Sequence, residues 1–372
     1  MTKPELGIYD VIDRFQMADY PLAADVYDEH IRGAQEAEQM GYKYYFSIEH
    51  QTSAVSYLAA PNIYLTALAR ATSSLRFGMM IYQLPFHHPI RLAEDTAMLD
   101  HLSRGRLEFG AGTGVTPHEF LRWNVDFDRR RDISEEAMEV ILQAWTRDDV
   151  TFQGEFFQFD EVLTTPKPFQ QPHPPIWFGA HSAASFEYAA RMNFDVSQNI
   201  DTDATIAEKF KTWRQLWDQY GHTGPKPRAF LTRHVHVAET DEKAREEAEP
   251  HLLMARSGSR PPTNPDNAEL DLIGQTRLGY GMGGRYSGEA GTPEREELRR
   301  VFEEQAKSYD FWIDNGLALV GSPDTVARKI EEQQKLVGHD ILCARQRFGK
   351  MSPEVAKKSI KLFAEEVMPA FA

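Results

Sequence analysis

The sequence predicts an α/β protein, a (β/α)8 TIM barrel with insertions, and three observations support this prediction. Short strand-like runs alternate with longer helical patterns almost from end to end of the 372 residues. Eight such strand–helix units are present, and repeated units of this kind form a parallel sheet with helices outside. No linker divides the chain, which favours one barrel over 1–372 rather than an open doubly wound sheet, although the pattern alone permits both.

Eight segments rich in aromatic and β-branched residues predict the barrel strands. In order they are 5–11, 43–48, 75–82, 106–111, 175–179, 194–198, 229–239 and 339–344. A further run, LALVG at 317–321, predicts a short strand outside these eight.

Apolar residues recur at helical spacing between these strands. The predicted helices cover 23–41, 60–72, 88–105, 131–147, 182–192, 203–220, 323–337 and 353–368. The pairs Ser322–Pro323 and Ser352–Pro353 predict the starts of the last two helices, because each places a capping serine before a first-turn proline.

Two insertions stand outside the strand–helix alternation. Residues 150–162 alternate aromatic side chains around Gly154, which predicts a β-hairpin. Residues 256–292 are rich in Gly, Pro, Ser and Asn and exceed the usual length of a connection. Such a segment is commonly either a lid or a disordered loop, and the apolar side chains that it can bury favour a mobile lid loop.

Composition restricts the partners and the compartment. A net charge of −15 disfavours nucleic acid and anionic membranes. No run approaches the ~18 apolar residues of a membrane span, and the start MTKPELGIYD has no features of a signal peptide. The single cysteine, Cys343, excludes an internal disulfide, so we expect a cytoplasmic protein. No complete set of metal ligands is apparent, and we expect no metal.

Three glycines follow the fourth predicted strand at alternate positions, Gly110, Gly112 and Gly114. A dinucleotide-binding fingerprint requires the spacing G-x-G-x-x-G in the first strand-to-helix turn. Both spacing and position differ here, so we exclude that fold. A backbone that approaches a phosphate and a tight turn without a ligand both remain open.

Polar side chains also stand where other predicted strands end. Glu49 and His50 leave the second strand, at the barrel face where active sites are built. His50 can serve as a general base or hydrogen-bond donor, and Glu49 as its buried partner or as an acceptor of backbone amides. His87 and His88 follow the third strand and are expected to line the same mouth.

The fifth predicted strand runs into His181 and Ser182, with Ser185 one helical turn further on. Hydroxyls and free backbone N–H groups at a helix N-terminus make a phosphate site. A simple N-cap at Ser182 explains the same residues without any ligand, so both interpretations stay open.

The chain resembles the bacterial luciferase-like monooxygenases. The stretches that carry the resemblance are SIEH, LPFHHPIRLAEDTAMLDHLSRGRLEFGAGTG, TPKPFQQPHPPIWFGAHSAAS and LFAEEVMPAF, in the family's order and over nearly the whole chain. The resemblance implies a TIM barrel that binds reduced FMN, supplied by a separate flavin reductase, at its C-terminal mouth. It further implies a homodimer, and activation of O2 as a flavin hydroperoxide that oxygenates a small organic substrate.

The resemblance also assigns catalytic roles. His50 matches the family's catalytic histidine after the strand-end acid Glu49, and His88 matches a histidine near the active-site pocket. Met80 and Ile81 fall where the family has a non-prolyl cis peptide under the isoalloxazine ring.

The implied phosphate site lies elsewhere on the barrel mouth. Ser182 and Ser185 match the hydroxyl residues that bind the flavin phosphate, and Arg131 matches an arginine that neutralises it, within a run of three arginines at 129–131. Three positions near the cofactor depart from luciferase, where a cysteine, an arginine and a glutamate stand in place of Gly112, Thr113 and His181.

Two other functions are compatible with the same sequence. A sister branch of the family shares the barrel and transfers hydride with a deazaflavin cofactor, without O2. Degenerate relatives of luciferase bind flavin without catalysis. The C-terminal VMPAF favours the FMN branch, and the presence of Glu49 and His50 argues against a non-catalytic protein.

Overall fold

The computed structural model describes residues 3–52, 55–257 and 293–372. The predicted lid at 256–292 therefore lies outside the described residues, except for its first two positions. The strands are β1 Glu5–Tyr9, β2 Tyr44–Ser47, β3 Arg76–Met79, β4 Tyr82–Gln83, β5 Phe109–Gly112, β6 Asp149–Gln153, β7 Gln158–Leu163, β8 Ile176–Gly179, β9 Asp195–Gln198, β10 Ala229–Val237, β11 Ala318–Gly321 and β12 Ile341–Arg345.

All but two of these strands form one parallel sheet that curls into a barrel. Its order is β3-β2-β1-β12-β10-β9-β8-β5-β4, and a parallel bridge between Phe77 and Leu107 joins β3 to β5. Strands β3 and β4 are the two halves of the third predicted strand, interrupted at Met80–Ile81. Counted as one, they complete the eight strands of the predicted TIM barrel, which is confirmed. The additional strand β11 pairs with the end of β10.

The helices enclose this barrel. They are α1 Arg14–Met17, α2 Ala23–Gln39, α3 Pro61–Ala71, α4 Pro89–Ser103, α5 Pro117–Trp123, α6 Arg130–Thr146, α7 Ala183–Arg191, α8 Asp203–Gln219, α9 Asp241–Ser257, α10 Pro293–Gln305, α11 Tyr309–Asp314, α12 Pro323–Val337 and α13 Pro353–Leu362. All eight predicted helices form, with Ser322 and Ser352 at the N-cap positions of α12 and α13. The sequence did not predict α1, α5, α9, α10 or α11.

The last helix ends differently from the prediction. Its α-helical part stops at Leu362, where 353–368 was expected, and the chain continues through a π turn and a 3-10 turn. Within the described residues, no helix is both long enough and apolar enough to cross a bilayer.

Alternate strand residues build two cores. Inward side chains, including Tyr9, Phe46, Trp177 and Phe230, fill the barrel interior. Outward side chains pack under the helices in a larger cluster. The antiparallel pair β6–β7 occupies the segment predicted as a hairpin and lies against α6, where Glu136 accepts backbone N–H groups of the hairpin. The core thus leaves the C-terminal strand ends free to carry the site.

Candidate active site

The C-terminal ends of the parallel strands meet at one mouth of the barrel. This arrangement collects the predicted site residues at that end of the barrel. Glu49 and His50 follow β2, Met80 and Ile81 join β3 to β4, Gly112 and Thr113 end β5, and His181 and Ser182 follow β8.

The floor of the mouth is built around Ile81. The peptide bond between Met80 and Ile81 is cis, as predicted, and the Tyr9 hydroxyl donates a hydrogen bond to the Met80 carbonyl at 3.1 Å. A Cβ atom added to Gly112 would lie 2.8 Å from Ile81, and one added to Gly179 would lie 3.1 Å from it. Because neither strand has a side chain there, the partly buried Ile81 forms an apolar platform across β5 and β8.

The glycine run performs more than one task. A Cβ atom on Gly110 would overlap the carbonyl oxygen of Met79, so this glycine lets β5 and β3 approach each other. Gly114 has a positive φ of +72°, a backbone conformation that favours glycine. Thr113, partly buried, donates its hydroxyl to the Gly114 carbonyl at 3.3 Å. The structural role of Gly110 is therefore the close packing of β3 and β5.

Glu49 is a buried acceptor that ties two strand ends together. Its carboxylate accepts hydrogen bonds from the Gln51 side-chain amide at 2.6 Å and from the Gln83 backbone N–H at 2.9 Å. It also bonds Nε2 of His87 at 2.9 Å and 3.0 Å. This matches the expected role as an acceptor of backbone amides. Its histidine partner, however, is His87 and not His50.

The two adjacent histidines differ in environment. His87 is three-quarters or more buried beside Glu49. Burial lowers the pKa of His87, but the Glu49 carboxylate and its hydrogen bond, with a contribution from Asp95, outweigh burial and raise it. His88 is exposed, and its ring lies against Phe157 and Phe159 of the hairpin. The structure therefore places His87, and not the adjacent His88, in contact with the strand-end acid.

The raised pKa of His87 predicts a pH-dependent contribution to stability. Because folding favours protonated His87, its pairing with Glu49 contributes fully below the unfolded-state pKa and is lost as pH rises through the folded-state pKa. The free energy of unfolding of wild type minus that of His87→Gln should therefore be largest near about pH 6 and decline toward about pH 9. Denaturant titration at several pH values measures this difference.

His101→Gln provides the control, because His101 bonds the Lys167 carbonyl at 2.9 Å rather than a carboxylate. The difference in free energy of unfolding between wild type and His101→Gln should not decline with pH as the difference for His87→Gln does. A His87→Gln difference that stays constant or grows with pH would show that the pair does not favour the charged imidazole.

His50 is paired with an acid from another part of the chain. Its Nδ1 lies 3.0 Å from Oε1 of Glu119, on α5, and the Gln51 backbone N–H donates to the same oxygen at 3.0 Å. Glu119 is fully buried and His50 is nearly so. An imidazole held by a buried carboxylate at a barrel mouth can accept or donate a proton in the site.

The start of α7 presents two hydroxyls. Ser182 caps the helix, accepting from the Ser185 backbone N–H at 3.3 Å, and the two hydroxyl oxygens lie 2.8 Å apart. The Lys209 ammonium bonds the His181 carbonyl at 2.8 Å and Asp201 at 2.7 Å. Burial and Lys209 lower the pKa of His181, against the opposing effect of Asp201. Capping by Ser182 and binding of an anion are compatible here, because the cap uses only the Ser185 N–H and a helix start has several free backbone N–H groups.

The three arginines before and within α6 are not equivalent. Arg129 forms a bidentate pair with Glu155 at 2.9 Å and 2.7 Å. Arg130 donates to the Phe127 carbonyl at 2.7 Å. The Arg131 side chain is exposed, and its guanidinium forms no hydrogen bond or ion pair with another described residue. Of the three, Arg131 has the guanidinium that can engage an anion without breaking another contact.

Metal ligands do not converge in the part of the chain that the structure describes. His234 and His236, which share an alternating pattern on β10, have separate environments. The His234 ring packs between Trp312 and Phe348, with centroid distances of 5.0 Å and 5.1 Å. His236 bonds Glu247 at 2.8 Å. The H-x-H spacing of His234 and His236 therefore reflects the alternation of side chains along a strand and not a pair of metal ligands.

Comparison with known proteins decides the family. A family model described as luciferase-like monooxygenase matches residues 5–340. The chain belongs to this family. The oxygenase component of a flavin-dependent trigonelline monooxygenase from Acinetobacter baylyi is 27% identical over 348 residues, which cover 85% of this chain and 91% of that protein. The luciferase-like resemblance is thus confirmed, and the chain is an enzyme of the monooxygenase class.

Two solved structures share the fold. The oxygenating constituent of 3,6-diketocamphane monooxygenase from Pseudomonas putida, in complex with FMN, has a TM-score of 0.75 at 21% identity and covers 99% of this chain and 98% of that one. A coenzyme F420-dependent tetrahydromethanopterin reductase from Methanopyrus kandleri has a TM-score of 0.69 at 19% identity, with both chains fully covered. At these identities both show the luciferase-like barrel and no more.

The sequence did not single out Glu119 as a candidate site residue, and it did not show which of His87 and His88 contacts Glu49. His87 stands in the quoted HHP segment, but the pattern does not show which histidine points inward. Glu119 lies five positions after Gly114, in a turn that carries no catalytic signature. Only the packing of α5 against the loop after β2 brings Glu119 to His50.

Proposed function

We propose that this protein is the oxygenase component of a two-component, FMN-dependent monooxygenase. It receives reduced FMN from a separate flavin reductase and uses O2 to oxygenate a small organic substrate. The observation that carries the proposal is the Ile81 platform, placed between His50 on one side of the barrel mouth and the Ser182–Ser185 pair on the other.

The residues at the mouth fit a flavin mononucleotide. Ile81 offers an apolar surface for a flat ring, and Gly112 and Gly179 leave the space beside it without side chains. Ser182 and Ser185, at a helix N-terminus, would hold the phosphate, and Arg131 would neutralise it. When bound, reduced FMN supplies the electrons that activate O2.

The chain's own residues then have distinct tasks. His50 would hold or move a proton at its Nε2 atom, next to the reacting groups. Glu49 would keep the ends of β2 and β4 together through its bonds to Gln83 and His87. The inward glycines and the apolar floor would exclude water from the ring, which protects an oxygen-activating reaction from wasteful side reactions.

The phosphate assignment predicts a selective loss of affinity. The double variant Ser182→Ala/Ser185→Ala should weaken the binding of reduced FMN at least about tenfold, because hydrogen bonds to a charged group are lost. Riboflavin, which lacks the phosphate, should bind the double variant and wild type alike. Anaerobic titration of both ligands, followed by flavin fluorescence or absorbance, measures this difference.

Ser352→Ala is the matched control, because Ser352 caps α13 as Ser182 caps α7. It should leave both affinities unchanged. Equal losses for FMN and riboflavin in the double variant would contradict the phosphate site.

The reaction itself is tested by oxygen uptake. Purified protein, supplied with reduced FMN and a panel of candidate substrates under 18O2, should show substrate-dependent oxygen consumption. Mass spectrometry should detect one labelled oxygen atom in the product. Flavin binding without substrate-dependent uptake across a broad panel would support the non-catalytic alternative.

The deazaflavin alternative rests on the shared barrel of the F420-dependent reductase. It predicts hydride transfer to F420 under argon and no benefit from O2. Reduction of F420 by candidate alcohols in the absence of oxygen would favour this function over the FMN-dependent one.

A further inference from the structure

Glu119 is a buried acid whose position is not explained by packing. It is fully buried on α5, and its Oε1 atom accepts from both His50 and the Gln51 backbone. Its second oxygen, Oε2, is buried without a hydrogen-bond partner among the described residues. A buried carboxylate with an unsatisfied oxygen destabilises the fold relative to an apolar side chain of similar size. Because its burial destabilises the fold, we expect Glu119 to have a role other than stabilising the structure.

The local structure holds this acid against His50. The Gln51 N–H bonds Glu119, and the Arg122 guanidinium donates to the Thr52 carbonyl, so α5 is attached to the loop after β2 at three successive residues. The other acid beside His50, Glu49, is engaged with His87, Gln51 and Gln83 instead. Glu119 is therefore the carboxylate that bonds the His50 ring.

The contact selects one tautomer of the His50 ring when the Glu119 carboxylate is charged. An ionised carboxylate can only accept hydrogen bonds, so the proton of a neutral His50 must lie on Nδ1. The lone pair of the ring is then on Nε2, the nitrogen that faces away from Glu119.

We propose that Glu119 is the positioning residue of the reaction, holding His50 with Nδ1 protonated and stabilising the imidazolium that forms when Nε2 takes up a proton. In that step one N–H bond forms at Nε2, the bond from the proton to its donor breaks, and the Nδ1 proton stays in place. The inference rests on the proposed function, in which His50 contacts the reacting groups.

Two variants separate geometry from charge. Glu119→Leu removes the acceptor, whereas Glu119→Gln keeps an oxygen that can accept from Nδ1 but loses the negative charge. The control is Glu247→Gln, which alters another histidine–carboxylate pair outside the site, the buried His236 with the partly buried Glu247 at 2.8 Å. Each variant must show the far-UV circular dichroism of wild type.

The first measurement uses flavin-free protein. The 15N chemical shifts of the His50 ring should show the Nδ1–H tautomer in wild type, in Glu119→Gln and in Glu247→Gln. In Glu119→Leu the Nε2–H tautomer should increase. An unchanged tautomer in a folded Glu119→Leu variant would overturn the proposal.

The second measurement is substrate-dependent oxygen uptake with reduced FMN. Glu119→Gln should lower kcat about 10- to 100-fold, which is at most the lower end of the range for general acid–base catalysis because His50 itself is retained, with little change in KM or in FMN affinity. An unchanged kcat would also overturn the proposal, and this variant carries the measurement if Glu119→Leu does not fold. A tautomer shift as expected together with an inactive wild type would contradict the proposed function, and with it the catalytic part of this inference.

Discussion

Replacing His50 with alanine should lower substrate-dependent turnover by about 10²- to 10⁴-fold while leaving the affinity for reduced FMN nearly intact. The physical reason is that His50 offers the proton-transferring nitrogen at the mouth, whereas the proposed contacts to the flavin come from Ile81 and the start of α7. The removal of the imidazole therefore affects the chemical step and not cofactor binding. Steady-state oxygen uptake and anaerobic FMN titration measure the two quantities separately.

His173→Ala is a suitable control for His50→Ala. His173 precedes β8, at the opposite end of the strand from the mouth, and bonds the Pro174 carbonyl at 2.8 Å. Its turnover should stay within about twofold of wild type, as expected for a residue outside the chemical step. Wild-type turnover in His50→Ala would remove His50 from the mechanism, and a parallel loss of FMN affinity would assign it to binding.

Gly110→Ala should destabilise the protein by at least about 3 kcal/mol, which is large for the addition of one methyl group. The new Cβ atom would overlap the carbonyl oxygen of Met79. This neighbour is backbone and cannot rotate away, so β3 and β5 would have to separate. Gly78 faces the Glu108 carbonyl in the same manner, which places two glycines where the barrel closes. Denaturant unfolding followed by circular dichroism measures the change.

Gly33→Ala gives the opposite expectation in the same protein. Gly33 lies within α2, and a Cβ atom there would contact nothing within 4 Å. Alanine should stabilise this helix by about 0.5–1 kcal/mol, because glycine loses more backbone entropy on folding. If Gly110→Ala were as well tolerated as Gly33→Ala, the glycine run would not be needed for barrel closure.

The two acid–histidine pairs at the mouth show that residues adjacent in the sequence need not bond each other in the structure. Glu49 and His50 are adjacent in the chain, and the sequence left open whether Glu49 is the partner of His50 or an acceptor of backbone amides. In the structure each of them bonds a residue more distant in the sequence. Glu49 bonds His87, and His50 bonds Glu119. Adjacent side chains leave an extended segment in opposite directions, so neighbours in sequence at a strand end face different surroundings.

Local signals in the sequence predicted the eight barrel strands and eight of the helices, although the same pattern also permitted an open sheet. Alternation of strand and helix patterns, the number of units and serine caps such as Ser322 and Ser352 are local signals, and each depends on side chains within a few residues of one another. The cis bond at Met80–Ile81 was also located in advance, through the resemblance to luciferase-like proteins.

Tertiary structure alone decided which of these residues act together. The pairing of His50 with Glu119 joins positions 69 residues apart, and the choice of His87 over His88 depends on the burial of one ring beside Glu49. The sequence is compatible with a ligand-binding role for Gly110, but only the structure shows that the Met79 carbonyl oxygen occupies the space beside it. Hydrophobic periodicity specifies which face of an element is buried, but contacts between loops at a barrel mouth arise only when the strands have closed and brought their ends together.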